Sequence, residues 1–201
     1  MSRMSIGKMV SEAIDKMNAD DPEGALFSLC AAVEKTAVAE YGQPGRASFK
    51  RFIHDNVRLM VRFVFPGHSW GGFMFAYSHP SPKKSHPTGG MWTIEDVLYH
   101  AIRCSLYHGE DLPPNIIFAK DNTFSGGGGQ ITIPAKLIHG VIIALIVAPS
   151  NRHEKAEGIF TVTWRNEQLP LDSLWGKRKE MLRMMDAAEV AGSSGSSVDN
   201  T

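Results

Sequence analysis

Two side chains near the middle of the chain have the types needed to move a proton and to hold an anion. Arg103 carries a planar guanidinium that can fork onto an anion, and His108, five residues later, carries an imidazole that titrates near neutral pH. On one helix, that spacing sets their Cβ atoms about 140° apart around the axis and roughly 7.5 Å along it. They then converge only through long side chains or through a second subunit. Asp96, His100, Arg103 and Tyr107 share one face of such a helix, with Ile94, Val97, Leu98, Ala101 and Ile102 opposite and Cys104 at the margin. The plainer alternative is ordinary helix-surface chemistry, with Arg103 paired to a nearby carboxylate and His108 favoured at the negative end of the helix dipole.

Other candidates surround this pair. His100, Cys104 and His108 fall at four-residue steps, from which two could grip a transition metal, and His68, His79 and His86 precede them. The ligand set is too sparse for a site, so no metal and no cofactor are expected. Arg58 and Arg62, with Lys50 and Arg51, could track a phosphate backbone, although Asp55 dilutes the stripe and a solvated surface explains it equally. Tyr107 could stack on an unpaired base or pack at the edge of a core. Four successive glycines after Ser125 lack the following Lys-Ser or Lys-Thr of a phosphate loop and suit a turn.

These residues need a scaffold, and the punctuation of the sequence supplies one. A short helix is expected over about Ser5 to Asn18. Asp21 before Pro22 starts a second helix and Gly42 with Pro44 stops it, while Leu26, Leu29, Cys30, Val33 and Ala37 recur along its core stripe. Phe49, Phe52, Ile53, Val57, Met60 and Val64 repeat the pattern in a third helix, about Ser48 to Phe65. Pro66 to Met91, rich in proline, glycine and histidine, reads as a long surface excursion. Thr93 and Asp96 form a capping box, so a fourth helix starts at Ile94, and Gly109 caps its end. Beyond Pro113 and Pro114, Asn115 to Ala119 and Gln130 to Ile133 are expected to form a β-hairpin. Pro134 should open a buried helix through Ala148, Ile159 to Trp164 should make a third strand, and Asp172 should cap a last helix to about Ala187. The Gly/Ser-rich end, residues 190–201, predicts a disordered tail.

The segment Arg103-Cys-Ser-Leu-Tyr-His108-Gly109, following an upstream Asp-Pro-Glu-Gly-Ala-Leu helix, resembles the R-x4-6-H signature of the HEPN family of helical-bundle nucleotide-binding and ribonuclease domains. The resemblance spans about Ser5 to Glu110. It implies a metal-independent endoribonuclease acting on single-stranded RNA, with His108 moving the proton and Arg103 holding the phosphate, and with 2′,3′-cyclic phosphate and 5′-hydroxyl products. His100, Tyr107, Arg58 and Arg62 would contact the substrate. It also implies a homodimer through the helix carrying Arg103 and His108, with RNA or a nucleotide and a cognate protein inhibitor as further partners. Cys104 departs from the pattern, because active members often carry Asn, Asp or His after the Arg, and a thiol is a poor orienting partner. The departure keeps open a second function, a catalytically inactive nucleotide- or protein-binding module.

Composition bounds the remainder. The chain has 201 residues, 43% hydrophobic and 21% charged, which suits one HEPN-like helical domain over residues 1–189 rather than a disordered or membrane protein. Its formal net charge is zero, so no global field gathers nucleic acid and any RNA contact must be local. Two distant cysteines exclude a disulfide scaffold, and Met1 to Val10 lacks the apolar run of a secretory signal, which predicts a cytoplasmic protein. The expected fold is mainly α, a HEPN-like bundle with a small strand appendage and a C-terminal helix.

Overall fold

The helices begin where local side chains satisfy their free N–H groups. The computed structural model describes residues 4–65, 74–77, 90–109, 111–165 and 167–193. Ser5 caps α1 (Ile6–Asn18) by accepting from the Lys8 N–H. Asp21 caps α2 (Pro22–Tyr41) by accepting from the Gly24 N–H at 2.8 Å, with Pro22 at a position that needs no donor. Gly42 ends α2 and α3 (Arg46–Val64) follows after a short turn. Strand β1 (Met74–Ala76), inside the segment expected to be irregular, pairs antiparallel with β2 (Met91–Thr93), which begins at that segment's last residue. The rest of that excursion, with His68, His79 and His86, lies outside the described residues.

Helix α4 covers residues 94–107 and starts at the expected capping box, where the Asp96 N–H donates to Thr93 Oγ1 and the Thr93 N–H to Asp96 Oδ2. Its middle, Val97–Arg103, is wound in wider π-type turns before α-helical geometry returns at Cys104. Gly109, at φ +67°, makes the left-handed exit that a Cβ would strain.

Three strands follow: β3 (Ile116–Ala119), β4 (Ser125–Gly127) and β5 (Gln130–Pro134). The expected hairpin is corrected here. β3 runs parallel to β5, and β5's antiparallel partner is the glycine strand β4. Alternating apolar residues show that β3 and β5 are strands and not which way they run, and glycines pair through their backbone without leaving an apolar pattern. Pro134 closes β5 instead of opening a helix, and α5 (Leu137–Val147) starts three residues later. Strands β6 (Thr161–Trp164) and β7 (Glu167–Pro170) pair with each other, so the third strand expected from Ile159 belongs to a separate sheet. Asp172 caps no helix. It accepts from the Ala156 N–H and the Trp175 indole, and α6 (Arg178–Ser193) starts after Gly176. Because α6 runs to Ser193, the tail expected from residue 190 is helical at its start, and residues 194–201 lie outside the described ones.

The protein is thus mainly helical with small strand additions. α5 threads the centre, buried from Val141 to Val147 and packed against α1, α2 and α3. Among the described residues no helix is long and apolar enough to cross a membrane.

Candidate functional site

The site is built by the two helices that face each other across the Arg103 side chain. Both ends of α4 are held. Asp96, only 4% exposed, pairs with Lys50 of α3 at 2.5 Å, and Glu95 faces His54 of α3 at 2.8 Å. Burial by itself would raise the Asp96 carboxyl, but Lys50 and the Thr93 hydroxyl and N–H outweigh it and hold it down to about 2. The N-terminal end of α4 is therefore anchored to α3 by a desolvated ion pair.

At the other end Arg103 reaches α2. Its Nη2 donates to both carboxylate oxygens of Glu34, at 2.9 and 3.1 Å. The guanidinium also lies 4.3 Å from the ring centre of Tyr107 and 5.4 Å from that of Tyr99, so tyrosines four residues before and after it on α4 flank it. Burial opposes the charge and the Glu34 carboxylate more than restores it, leaving Arg103 above its ordinary pKa. The Arg103 Nε is buried with no hydrogen-bond partner among the described residues. Cys30, buried beneath the pair, has its thiol pushed up to about 12 by burial, so it is an inert core residue.

The face expected to unite Asp96, His100, Arg103 and Tyr107 is split. Arg103 and Tyr107 remain together, Asp96 turns towards α3, and His100 packs edge-on against Trp92 and Tyr99, with ring centres at 5.9 and 5.1 Å. The π-type turns between them rotate each residue less than an α-helix does, which breaks the assumed spacing. His108 is exposed just after α4 ends, with its backbone N–H bonded to the Cys104 and Ser105 carbonyls. None of Arg103's hydrogen bonds or ring contacts is with His108.

The two α3 arginines proposed to contact substrate, Arg58 and Arg62, part company. Arg58 is 71% exposed and lies 3.9 Å from Asp186. Arg62 is 3% exposed, bound to Asp186 at 2.8 Å and Glu189 at 2.6 Å, and ties α3 to α6. It is a buried, neutralised cation and not the surface phosphate contact its spacing suggests. Among the described residues no group of three His, Cys, Asp or Glu side chains could hold a metal ion.

Sequence reasoning missed Glu34 and Phe27, although a signal was there. Phe27, Ala31, Glu34 and Val38 recur at four- and three-residue steps on the side of α2 away from its buried stripe, so the helix is apolar on two faces. Phe27 and Val38 are 52% and 37% exposed, and Phe27 lies 6.2 Å from the ring of Tyr107, itself 44% exposed. Two solvent-facing aromatic rings thus lie beside a neutralised Arg–Glu pair.

The sequence pattern of the Rv1289 family matches residues 5–198. The chain belongs to the Rv1289 family. Neither a curated protein nor a solved structure matches it. The Rv1289 match takes in everything from α1 past the end of α6, including the strands and the last helix that the R-x4-6-H resemblance leaves out. In this Rv1289 protein the Glu34–Arg103 pair and the Arg62 cluster both fall inside the matched span.

Proposed function

We propose that this Rv1289-family protein is a catalytically silent, HEPN-like binding module whose α2–α4 face docks a second copy of the chain. The observation that carries this reading is the engagement of the Arg103 Nη2 with both oxygens of Glu34. A phosphate approaching that guanidinium would meet the carboxylate's negative charge first, and displacing Glu34 would strand it partly buried and unpaired. The rim of the face has the make-up of a protein contact: exposed Phe27, Val38 and Tyr107 around an Arg. The formal net charge of zero allows two copies to approach without long-range repulsion.

The ribonuclease reading has one observation in its favour, the solvent-facing His108 imidazole directly after Tyr107 on the same helix end. It requires Glu34 to give up Arg103 when RNA binds. One experiment separates the two. Wild-type protein, Phe27→Asp, Arg103→Ala and His108→Ala are sized by light scattering and incubated with labelled single-stranded RNA in chelator. A wild-type dimer, a Phe27→Asp monomer and intact RNA are expected. A wild-type monomer refutes the docking face, and cleavage lost in both the Arg103 and the His108 variants refutes catalytic silence.

A further inference from the structure

A cleft that shares no residue with the α2–α4 face lies where α1, α3, α5 and the β6 segment meet. Its volume is about 540 Å³, within the roughly 300–1,000 Å³ that small-molecule sites occupy. The inner wall is apolar, formed by Phe63 of α3, Ile142 and Ile143 of α5, Phe160 and Leu171. Ile143 and Leu171 are buried, whereas Ile159, also lining the cleft, is fully exposed. An isoleucine wholly in water at the rim of an apolar wall extends the apolar surface that a ligand bound there would cover.

The polar groups are few, and none of those described is acidic. Lys136, just ahead of α5, and His139, in its first turn, line the cleft together with Asn18, Thr161 and Thr163. Among the described residues no Asp or Glu lines the cleft and none makes an ion pair with Lys136. Burial lowers the pKa of His139; a hydrogen bond to the Lys136 carbonyl partly offsets this and the Lys136 ammonium adds to it, although the residue still reaches solvent. The imidazole is a hydrogen-bonding group whose charged form burial disfavours, while Lys136 supplies the charge.

We infer that this cleft is a binding site for an amphiphilic carboxylate, its hydrocarbon part against Phe63, Ile142 and Phe160 and its carboxylate at Lys136 and His139. The chemistry on each side matches. Apolar surface is covered on the inner wall, and an unpaired ammonium gains a charge-assisted hydrogen bond at the rim. A neutral alcohol of the same length would cover the wall equally and leave the ammonium without its counter-charge.

Calorimetric titration of the full chain with decanoate and with decanol tests the assignment. One-to-one binding of decanoate is expected, with decanol about tenfold weaker. Lys136→Met should weaken decanoate to the level of decanol and leave decanol unchanged. Thr163→Trp, at an exposed strand position where an aromatic residue is well tolerated, should block both ligands while the melting temperature stays as in the wild type. No decanoate binding, equal affinity for acid and alcohol in the wild type, or unaltered binding to a folded Thr163→Trp variant would each overturn the inference.

Discussion

Replacing Glu34 by Gln tests whether Arg103 is a structural cation held between α2 and α4. The amide keeps the shape of the carboxylate and one acceptor oxygen, so the packing against Cys30 and Tyr107 changes little while the counter-charge disappears. Exposed ion pairs are worth about 0–1 kcal/mol, and breaking a fully buried one costs about 3–5 kcal/mol. With side chains 18% and 25% exposed, Arg103 and Glu34 fall between those limits. Hydrogen bonds to charged groups contribute about 1.5–3 kcal/mol, and the Gln oxygen retains part of this, so a loss of about 1–2 kcal/mol is expected. In a chain of this length that corresponds to roughly 3–6 °C in melting temperature. Arg103→Met and the double variant complete a cycle followed by urea unfolding with circular dichroism. A coupling of about 1 kcal/mol is expected, because removing the second charge restores part of what the first substitution loses. Costs that simply add, within about 0.5 kcal/mol, would show that the two groups do not depend on each other. The premise that Glu34 occupies the guanidinium would then fail, and with it the main support for the silent module.

Two further predictions follow from the packing. The Asp96 carboxyl is held at about 2 in the folded chain against an ordinary 3.8, so it stabilises the fold above the unfolded value and loses that contribution as pH falls towards 2. The stability gap between wild type and Asp96→Asn should therefore be constant at about 2 kcal/mol above pH 5 and close between about pH 4 and pH 2, as read by urea unfolding across pH. A gap independent of pH would show that the capping geometry and not the Lys50 charge supplies the stabilisation. Gly140 lies where α5 touches α3, and a Cβ there would come within 2.8 Å of the Met60 carbonyl oxygen. Gly140→Ala gains about 1 kcal/mol of helix propensity, but separating two backbones in a packed core costs about 1–3 kcal/mol. A net loss of stability is expected, and a rise in melting temperature would show that α3 and α5 separate freely.

The face around Arg103 depends on contacts of very different sequence range, and that range explains what was legible. The ring contacts of Arg103 with Tyr99 and Tyr107 are within one helix and within reach of periodicity, whereas Glu34 is 69 residues away. Arg62 is an instructive error. Its neighbours on α3 suggest a basic stripe, but Asp186 and Glu189, 124 and 127 residues away, bury and neutralise it. The spacing argument for His100 failed for a different reason: it assumed α-helical turns where α4 has π-type ones.

The amino-acid sequence by itself determined where the first four helices begin and end and which of their apolar stripes go inward, but not where the last two start. Asp21 with Pro22, Thr93 with Asp96, Gly42 and Gly109 act on groups within four residues of themselves, and the apolar run of α5 has nowhere to go but the interior. Only the tertiary structure decided that β3 runs parallel to β5, that glycines make a strand, and that Arg103 faces Glu34. Local sequence selects backbone conformation, but strand direction and the partner of a charge are chosen by whatever the completed fold brings within a few ångströms.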